Sequence, residues 1–275
     1  MAVVVQTNVS SLEAQRNLHK SQKALAVSFN RLSSGFRVNT AADDAAGLAV
    51  SESMKSKIRS FTVAERNAAD GVSMAQTAEG ALNEVHDILG RMRELATQAS
   101  NGSLSDTDRG YLNTEFTALK SEITRIQGST KFNGVDLIAQ TQSSTSFQIG
   151  LDNAANDQIS VNFGGLNLSS VTAGGNGVGT QATAQAALAL TDAGIAAVSS
   201  SRAGFGAVMN RLDVATANIQ TMRLNLSAAN SRIRDVDVAE ETSRLSRNQV
   251  LTQAGISVLA QSNQLPQQAF GLLGG

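Results

Sequence analysis

The sequence predicts a mainly α fold: a long-helix coiled-coil bundle with a small β-hairpin and loop excursion, its N- and C-terminal helices at one end. Three patterns carry that prediction. Apolar residues step by three and four through two long stretches, Ile58 to Ala99 and Phe205 to Val236, the period of a helix with one covered face. Both ends of the chain carry Leu or Val at seven-residue intervals, with Leu18, Leu25 and Leu32 at one and Leu251, Val258, Leu265 and Leu272 at the other. Between Phe147 and Phe163, within a segment of about 131–180 where the helical step is lost, apolar residues alternate, as in strands.

Taken in order, the N-terminal stretch "MAVVVQTNVSSL" has no charge before Glu13. The heptad leucines that follow it describe a narrow apolar stripe on a helix. From Ala45 to Ser100 a second helix is predicted, with Phe61, Ala68, Val72, Ala75, Leu82, Val85, Leu89, Met92 and Ala96 in step, and Glu65 and Glu79 at slots where the period expects apolar residues. At ~1.5 Å per residue such a helix is a rod of about 80 Å. "SNGSLSD" stops it: Asn101-Gly102 suits a left-handed C-terminal cap, and Ser105 with Asp108 resembles a capping box. The next helix, over 106–127, carries Leu112, Phe116, Leu119, Ile123 and Ile126.

"KFNGVDL" holds an Asn-Gly turn signal, and Phe147, Ile149, Leu151 alternate, as do Ile159, Val161, Phe163. These predict short strands joined through "DNAAND". "GGLNLSSVTAGGNGVGT" reads as a surface loop, and it lacks the Gly-Lys-Ser/Thr ending of a phosphate loop. Helix resumes over 190–236, where Phe205, Val208, Leu212, Ala215, Ile219, Met222, Leu226, Ala229, Ile233 and Val236 step without a miss. The predicted rod core is Phe116, Leu119, Ile123, Val208, Leu212, Ile219, Met222, Leu226 and Ile233. The predicted domains are residues 1–44 with 237–275, a terminal coiled-coil assembly domain, and 45–236, a rod with helices 45–100, 106–127 and 190–236 and a β and loop segment over 131–180.

The last segment, Asn248 to Gly275, has no charged residue. A membrane-spanning helix wants ~20 consecutive apolar residues, and Gln253, Gln261, Asn263, Gln264, Gln267 and Gln268 interrupt this one. An interfacial helix would place Lys or Arg on its polar face. Two stripes run along it instead: Leu245, Thr252, Leu259 and, one position aside, Leu251, Val258, Leu265, Leu272. Pairing the two terminal helices buries one seam. The remaining uncharged surface calls for further helices, which other copies of the same chain would supply. The expected assembly residues are Leu18, Leu25, Leu32, Leu245, Leu251, Val258, Leu259, Leu265 and Leu272.

Composition points away from chemistry. The chain of 275 residues has no Cys, no Trp, one Pro and a net charge of -1. Residues 1–66 hold nine Lys/Arg against five Asp/Glu, too sparse for a nucleic-acid surface. His19 and His86 show no metal-ligand spacing. Asp43 and Asp44 are adjacent and so do not face each other on a helix, which favours a helix-start or loop role. Met54, Met74, Met92 and Met222 read as core filler. No catalytic, metal or cofactor residue is expected. The N-terminus has no basic region followed by an apolar run of signal-peptide length.

Four segments carry a resemblance: "RLSSGFRVNTAADDAAGLAVSESM" (31–54), "RMRELATQASNG" (91–102), "KFNGVDLI" (131–138) and "SRIRDVDVAEETSRLSRNQVLTQAGISVLAQSNQLPQQAFGLL" (231–273). They are similar to bacterial flagellin, over about 1–140 and 190–275, and the short middle resembles the minimal members of that family. The resemblance implies a structural subunit of the flagellar filament, used for swimming, whose terminal helices are disordered in the free monomer and line the filament's inner tube as a coiled coil. It implies extracellular location and export without a cleaved signal peptide. The implied partners are other copies of the chain, an export chaperone and export apparatus, and filament cap and hook-junction proteins. Arg91, Leu95 and Glu115 match positions that contact a host innate-immune receptor in many flagellins, and Arg91 and Leu95, at i and i+4, are expected to share a helix face. The structural alternative is a flagellar hook–filament junction protein; a membrane-active helical protein is the alternative from another class.

Overall fold

A computed structural model describes residues 7–273, and the side-chain surroundings of residues 7–264. In chain order it contains α1 (Val9–Ser34), α2 (Ala45–Ala99), α3 (Asp106–Ser129), β1 (Lys131–Phe132), β2 (Val135–Asp136), β3 (Ser143–Gln148), β4 (Gln158–Phe163), the short α4 (Ser169–Thr172), α5 (Gln181–Arg234) and α6 (Val238–Leu273). The chain forms two compact units, Met1–Ser56 with Asn225–Gly275, and Lys57–Leu224. The mainly α fold and the two long helices agree with the periodicity of the sequence.

The second unit holds the larger core. Leu82, Val85, Leu89, Met92 and Ala96 on α2 are fully buried, and they share one cluster with Phe116 and Ile123 of α3 and Val198, Phe205 and Leu212 of α5. Leu119 and Val208 are partly buried against it. The two acidic interruptions of the α2 stripe meet cations on α5. Arg223 Nη1 lies 2.7 Å from Glu65, with Gln220 donating to the same carboxylate, and Arg202 lies 3.8 Å from Glu79. A charge at the edge of a buried stripe is tolerable when its partner is at hand.

Met222 corrects the core list: it is 43% exposed, whereas Ile219 one turn earlier is 4% exposed. Ile219 and Met222 line an open groove with Phe61, Ile149 and Leu151, which leaves Met222 on its rim. Leu226 and Ile233 are half-buried and belong to the first unit.

The end of α2 also differs from expectation. Gly102 is not among the glycines with positive φ. The guanidinium of Arg109 caps α2 instead, Nε donating to Ala99 O and Nη2 to Asn101 O, both at 2.9 Å, with Arg109 5% exposed. A cation on the C-terminal carbonyls satisfies orphan acceptors and complements the helix dipole. The capping box is present: Asp108 N–H donates to Ser105 Oγ at 3.2 Å, and Ser105 N–H to the Asp108 carboxylate.

Asn133 and Gly134 both take positive φ, 46° and 82°, as a tight hairpin turn between β1 and β2 requires. β3 and β4 pair antiparallel with Phe147 opposite Ile159 and Ser143 opposite Phe163. Phe163 stacks on Phe205 at 5.6 Å, which seats this hairpin on α5.

The segment expected to be a surface loop is largely a wall of the core. Leu166, Leu168, Val171 and Val178 are each at most 3% exposed. Lys120, itself buried on α3, donates to Ala173 O and Asn176 O at 2.6 and 2.7 Å, and Val178 N–H donates to Asn113 Oδ1. Burial lowers the Lys120 ammonium pKa below its ordinary value. Gly and Ser dominate this segment and hide its four widely spaced apolar anchors. α5 starts at Gln181 rather than at 190, because the Ala-rich run before 190 is strongly helix-forming and buries Ala184 and Ala187.

Candidate assembly interface

In the first unit α1 and α6 run antiparallel along a common seam. Asn8 Nδ2 donates to Ser262 O at 2.8 Å and Ser11 Oγ to Asn263 Oδ1 at 2.7 Å at one end. At the other, Arg31 lies 3.7 Å from Glu241. Leu18, Leu25 and Leu32 are half-buried in this seam, as are Leu245, Thr252 and Leu259. The sequence reading missed the other half of the heptad, which consists of small and polar residues. Ser11 and Ser28 on α1, and Glu241 and Ser262 on α6, are at most 7% exposed. On α6 Glu241, Asn248, Gly255 and Ser262 also recur every seven residues, so the period was present while hydropathy was silent. Small residues let the helices approach closely: a Cβ added at Gly255 would lie 3.2 Å from Leu18 Cδ1.

The second stripe on α6 is left uncovered. Leu251 is 49% and Val258 51% exposed, and Val250 and Ile256 are also exposed. On α1, Val9, Leu12 and Phe29 are exposed in the same way. Leu265 and Leu272 lie outside the described side chains. Contiguous exposed apolar residues on a soluble chain mark an interaction surface.

Where α1 turns into α2 and α5 into α6, the two connections are laced together. Gly35 at φ 74° caps α1 and its carbonyl accepts from Val236 N–H at 3.1 Å. Arg37 N–H donates to Arg234 O, Phe36 bridges to Asp235, and the Arg234 guanidinium stacks on the Phe36 ring at 4.5 Å. Val38 is 1% exposed. Asp43 accepts from Thr40 N–H and Oγ1 and from Asn39 N–H, and the Thr40 backbone bond foremost holds its carboxyl below the ordinary range. Asp44 accepts from Gly47 N–H at 2.8 Å. Both acids therefore hold a turn and a helix start. Arg31, 3.8 Å from Asp43, links this turn to Glu241.

In the second unit Arg91 Nε donates to Glu115 at 2.8 Å and Nη1 to Glu94 at 2.9 Å; the Glu115 bond is the main cause that raises the Arg91 pKa. Leu95 does not share their surface: it is 1% exposed within the core. Positions i and i+4 lie about 40° apart around a helix, enough to put one on the rim and the other beneath it. Among the described residues no group of His, Cys, Asp and Glu could hold a metal ion, and no helix is long and apolar enough to cross a membrane.

The model of the bacterial flagellin N-terminal helical region matches residues 5–143, and that of the C-terminal helical region residues 188–273. The chain belongs to the flagellin family. Flagellin from Halalkalibacterium halodurans is 41% identical over 275 residues, covering 98% of this chain and 100% of that protein. The crystal structure of Bacillus cereus flagellin matches with a TM-score of 0.50 at 34% identity, over 60% of this chain and 94% of that one. A putative flagellar hook-associated protein from Vibrio parahaemolyticus matches with a TM-score of 0.59 at 17% identity, over 70% and 100% of the two chains, a likeness of fold alone. The two family regions contain the paired α1 and α6, the laced turns and the Arg91–Glu115 pair. The 34% and 41% identities are to flagellins, so the hook–filament junction reading is not favoured.

Proposed function

We infer that this flagellin is the structural subunit of a flagellar filament and that the uncovered faces of α1 and α6 are its main self-contacts. The observation that supports those contacts is the half-exposed second stripe at Leu251 and Val258, on a helix whose first stripe is already occupied by α1. Fully covering an exposed Val, Leu, Ile or Phe contributes about 1.5–3 kcal/mol, whereas association costs ~4 kcal/mol or more before any surplus appears. Leu251 and Val258 are each only about half exposed, so covering these two gains about 1.5–3 kcal/mol in all, which does not suffice. The eight exposed among the described residues of α1 and α6, Val9, Leu12, Phe29, Val238, Val250, Leu251, Ile256 and Val258, do so when several neighbours cover them together, which makes growth on an existing end easier than starting one. Leu265 and Leu272 belong to the same proposed contact by their heptad positions.

Seeded growth of the purified chain tests this, with electron microscopy as the readout. The full chain elongates sheared filament seeds. A chain ending before Val250 stays soluble and does not elongate them; filaments from the truncated chain contradict the assignment. Export through the flagellar export apparatus with its chaperone, and contacts with cap and hook-junction proteins, belong to the same proposed reading. Receptor recognition in a host rests on Arg91 and Glu115, which lie exposed and bonded to each other.

A further inference from the structure

The α1/α6 pair has two unlike sides. Along one, Gln22, Leu25, Ala26, Phe29, Leu245 and Gln249 form an uncharged groove. Along the other, Lys20, Lys23, Arg31, Arg244 and Arg247 line a groove that holds one acid, Glu241. Arg31 is matched by Glu241 and Asp43, and Arg244 by Glu240. Lys20, Lys23 and Arg247 are exposed and form no ion pair among the described residues. Arg31 keeps a buried Nε with no partner among them. The positive charge of the groove is thus only partly neutralised within one copy.

We propose that this basic groove receives exposed carboxylates of a second copy of the chain, and that these ion pairs fix the register in which neighbouring α1/α6 pairs pack. The proposal rests on the self-assembly reading above. The groove lies on the same two helices as the uncovered apolar stripe, and on α6 Arg247 stands four residues, one helical turn, before Leu251. If a neighbour covered it with apolar surface, Lys20, Lys23 and Arg247 would lose water without gaining a partner, a desolvation penalty for each ion. Carboxylates remove that penalty, and paired charges at a packed interface select one register over others. The chain carries suitable ones in this same unit. Asp235 and Asp237, at the turn between α5 and α6, are exposed and form no ion pair among the described residues, and Asp44 forms none either. A free inorganic anion would neutralise the groove equally well but would leave its lysines open to reagents.

Two experiments on the full chain decide. Filaments grown from an equal mixture of ¹⁴N- and ¹⁵N-labelled chains are treated with a zero-length carbodiimide, digested and analysed by mass spectrometry. The expected result is mixed-isotope amide links joining Lys20 or Lys23 to an Asp or Glu of another copy. Links confined to one isotope, or acetylation of both lysines as fast in filaments as in monomer, overturn the proposal and leave the groove to solvent ions. The second experiment follows Lys23→Glu with Arg247→Glu on wild-type seeds. Elongation should fall about tenfold or more while the monomer's melting temperature is unchanged, and equal elongation overturns the proposal. Should the double variant fail to fold, the cross-links on the wild-type chain still decide. Failure of the wild-type chain to elongate its own seeds would instead contradict the assembly reading itself.

Discussion

Ile219 and Met222 show at the scale of single residues what the heptad pattern conveys and what it omits. Both occupy the same apolar stripe of α5, yet one is 4% and the other 43% exposed. Ile219→Asp places an unpaired charge in the core and should cost several kcal/mol, read as a large fall in the monomer's thermal midpoint. Met222→Asp should shift stability by about 0.5 kcal/mol or less, as surface substitutions do. Equal destabilisation by both would show that Met222 is covered. Leu95 and Arg91 separate in the same manner. Leu95→Ala should cost 2–5 kcal/mol, approximately the range for a buried Leu, so any loss of receptor response in that variant reflects folding. Arg91→Ala should leave the melting midpoint nearly unchanged and weaken receptor activation by depolymerised protein in a reporter assay; an unaltered response ends the receptor reading for this chain. Asp43 supplies one part of the pH dependence. Its folded pKa is lowered below the unfolded value, so its contribution is fully present above the ordinary carboxylate range of about 4 and is lost as pH falls through the folded value. Asp43→Asn should flatten the acid limb of the unfolding curve, and an unchanged limb would remove Asp43 from that account.

At the scale of elements, what could be read from the sequence depended on how each element is held. α2 and α3 were legible almost to the residue, because their apolar steps recur with only Glu65 and Glu79 out of place and Ser105 with Asp108 marks a start. The β1–β2 turn was legible because Asn133-Gly134 admits positive φ at both positions. The end of α2 was not, since its cap is a side chain from the next helix, Arg109, and no local signal reveals a partner across a turn. The 164–180 segment was misread because its anchors, Leu166, Leu168, Val171 and Val178, have no helical or strand period. In the α1/α6 seam the leucines announced themselves, while Ser11, Ser28, Gly255 and Ser262 carried the period without the hydropathy. That seam makes its own prediction. Gly255→Leu should force α1 and α6 apart at Leu18, since the first added carbon already lies 3.2 Å from Leu18 Cδ1 and overpacking typically costs about 1–3 kcal/mol. Seeded elongation should fail; normal filaments would show that the seam is not kept in the assembled state.

The whole molecule combines a well-buried core in the second unit with an α1/α6 pair that covers one stripe and leaves another open. One helix with a narrow stripe gains too little to offset roughly 1–2 kcal/mol of backbone entropy per residue. Pairing α1 with α6 improves that balance through the seam, and neighbouring copies would complete it by covering Leu251, Val258, Phe29 and the exposed residues around them. Folding of the terminal pair and growth of the filament are then coupled. Hydrogen exchange on the same preparation, monomeric and then assembled, tests this most directly. Amides on α2 from Leu82 to Ala96 should be slow in both states. Those of α1 from Leu18 to Leu32 and of α6 from Leu251 to Leu259 should exchange rapidly in the monomer and become slow in filaments. Equal protection of the terminal amides in the two states would mean that α1 and α6 reach full stability within one chain, and would contradict the claim that neighbouring copies complete their fold.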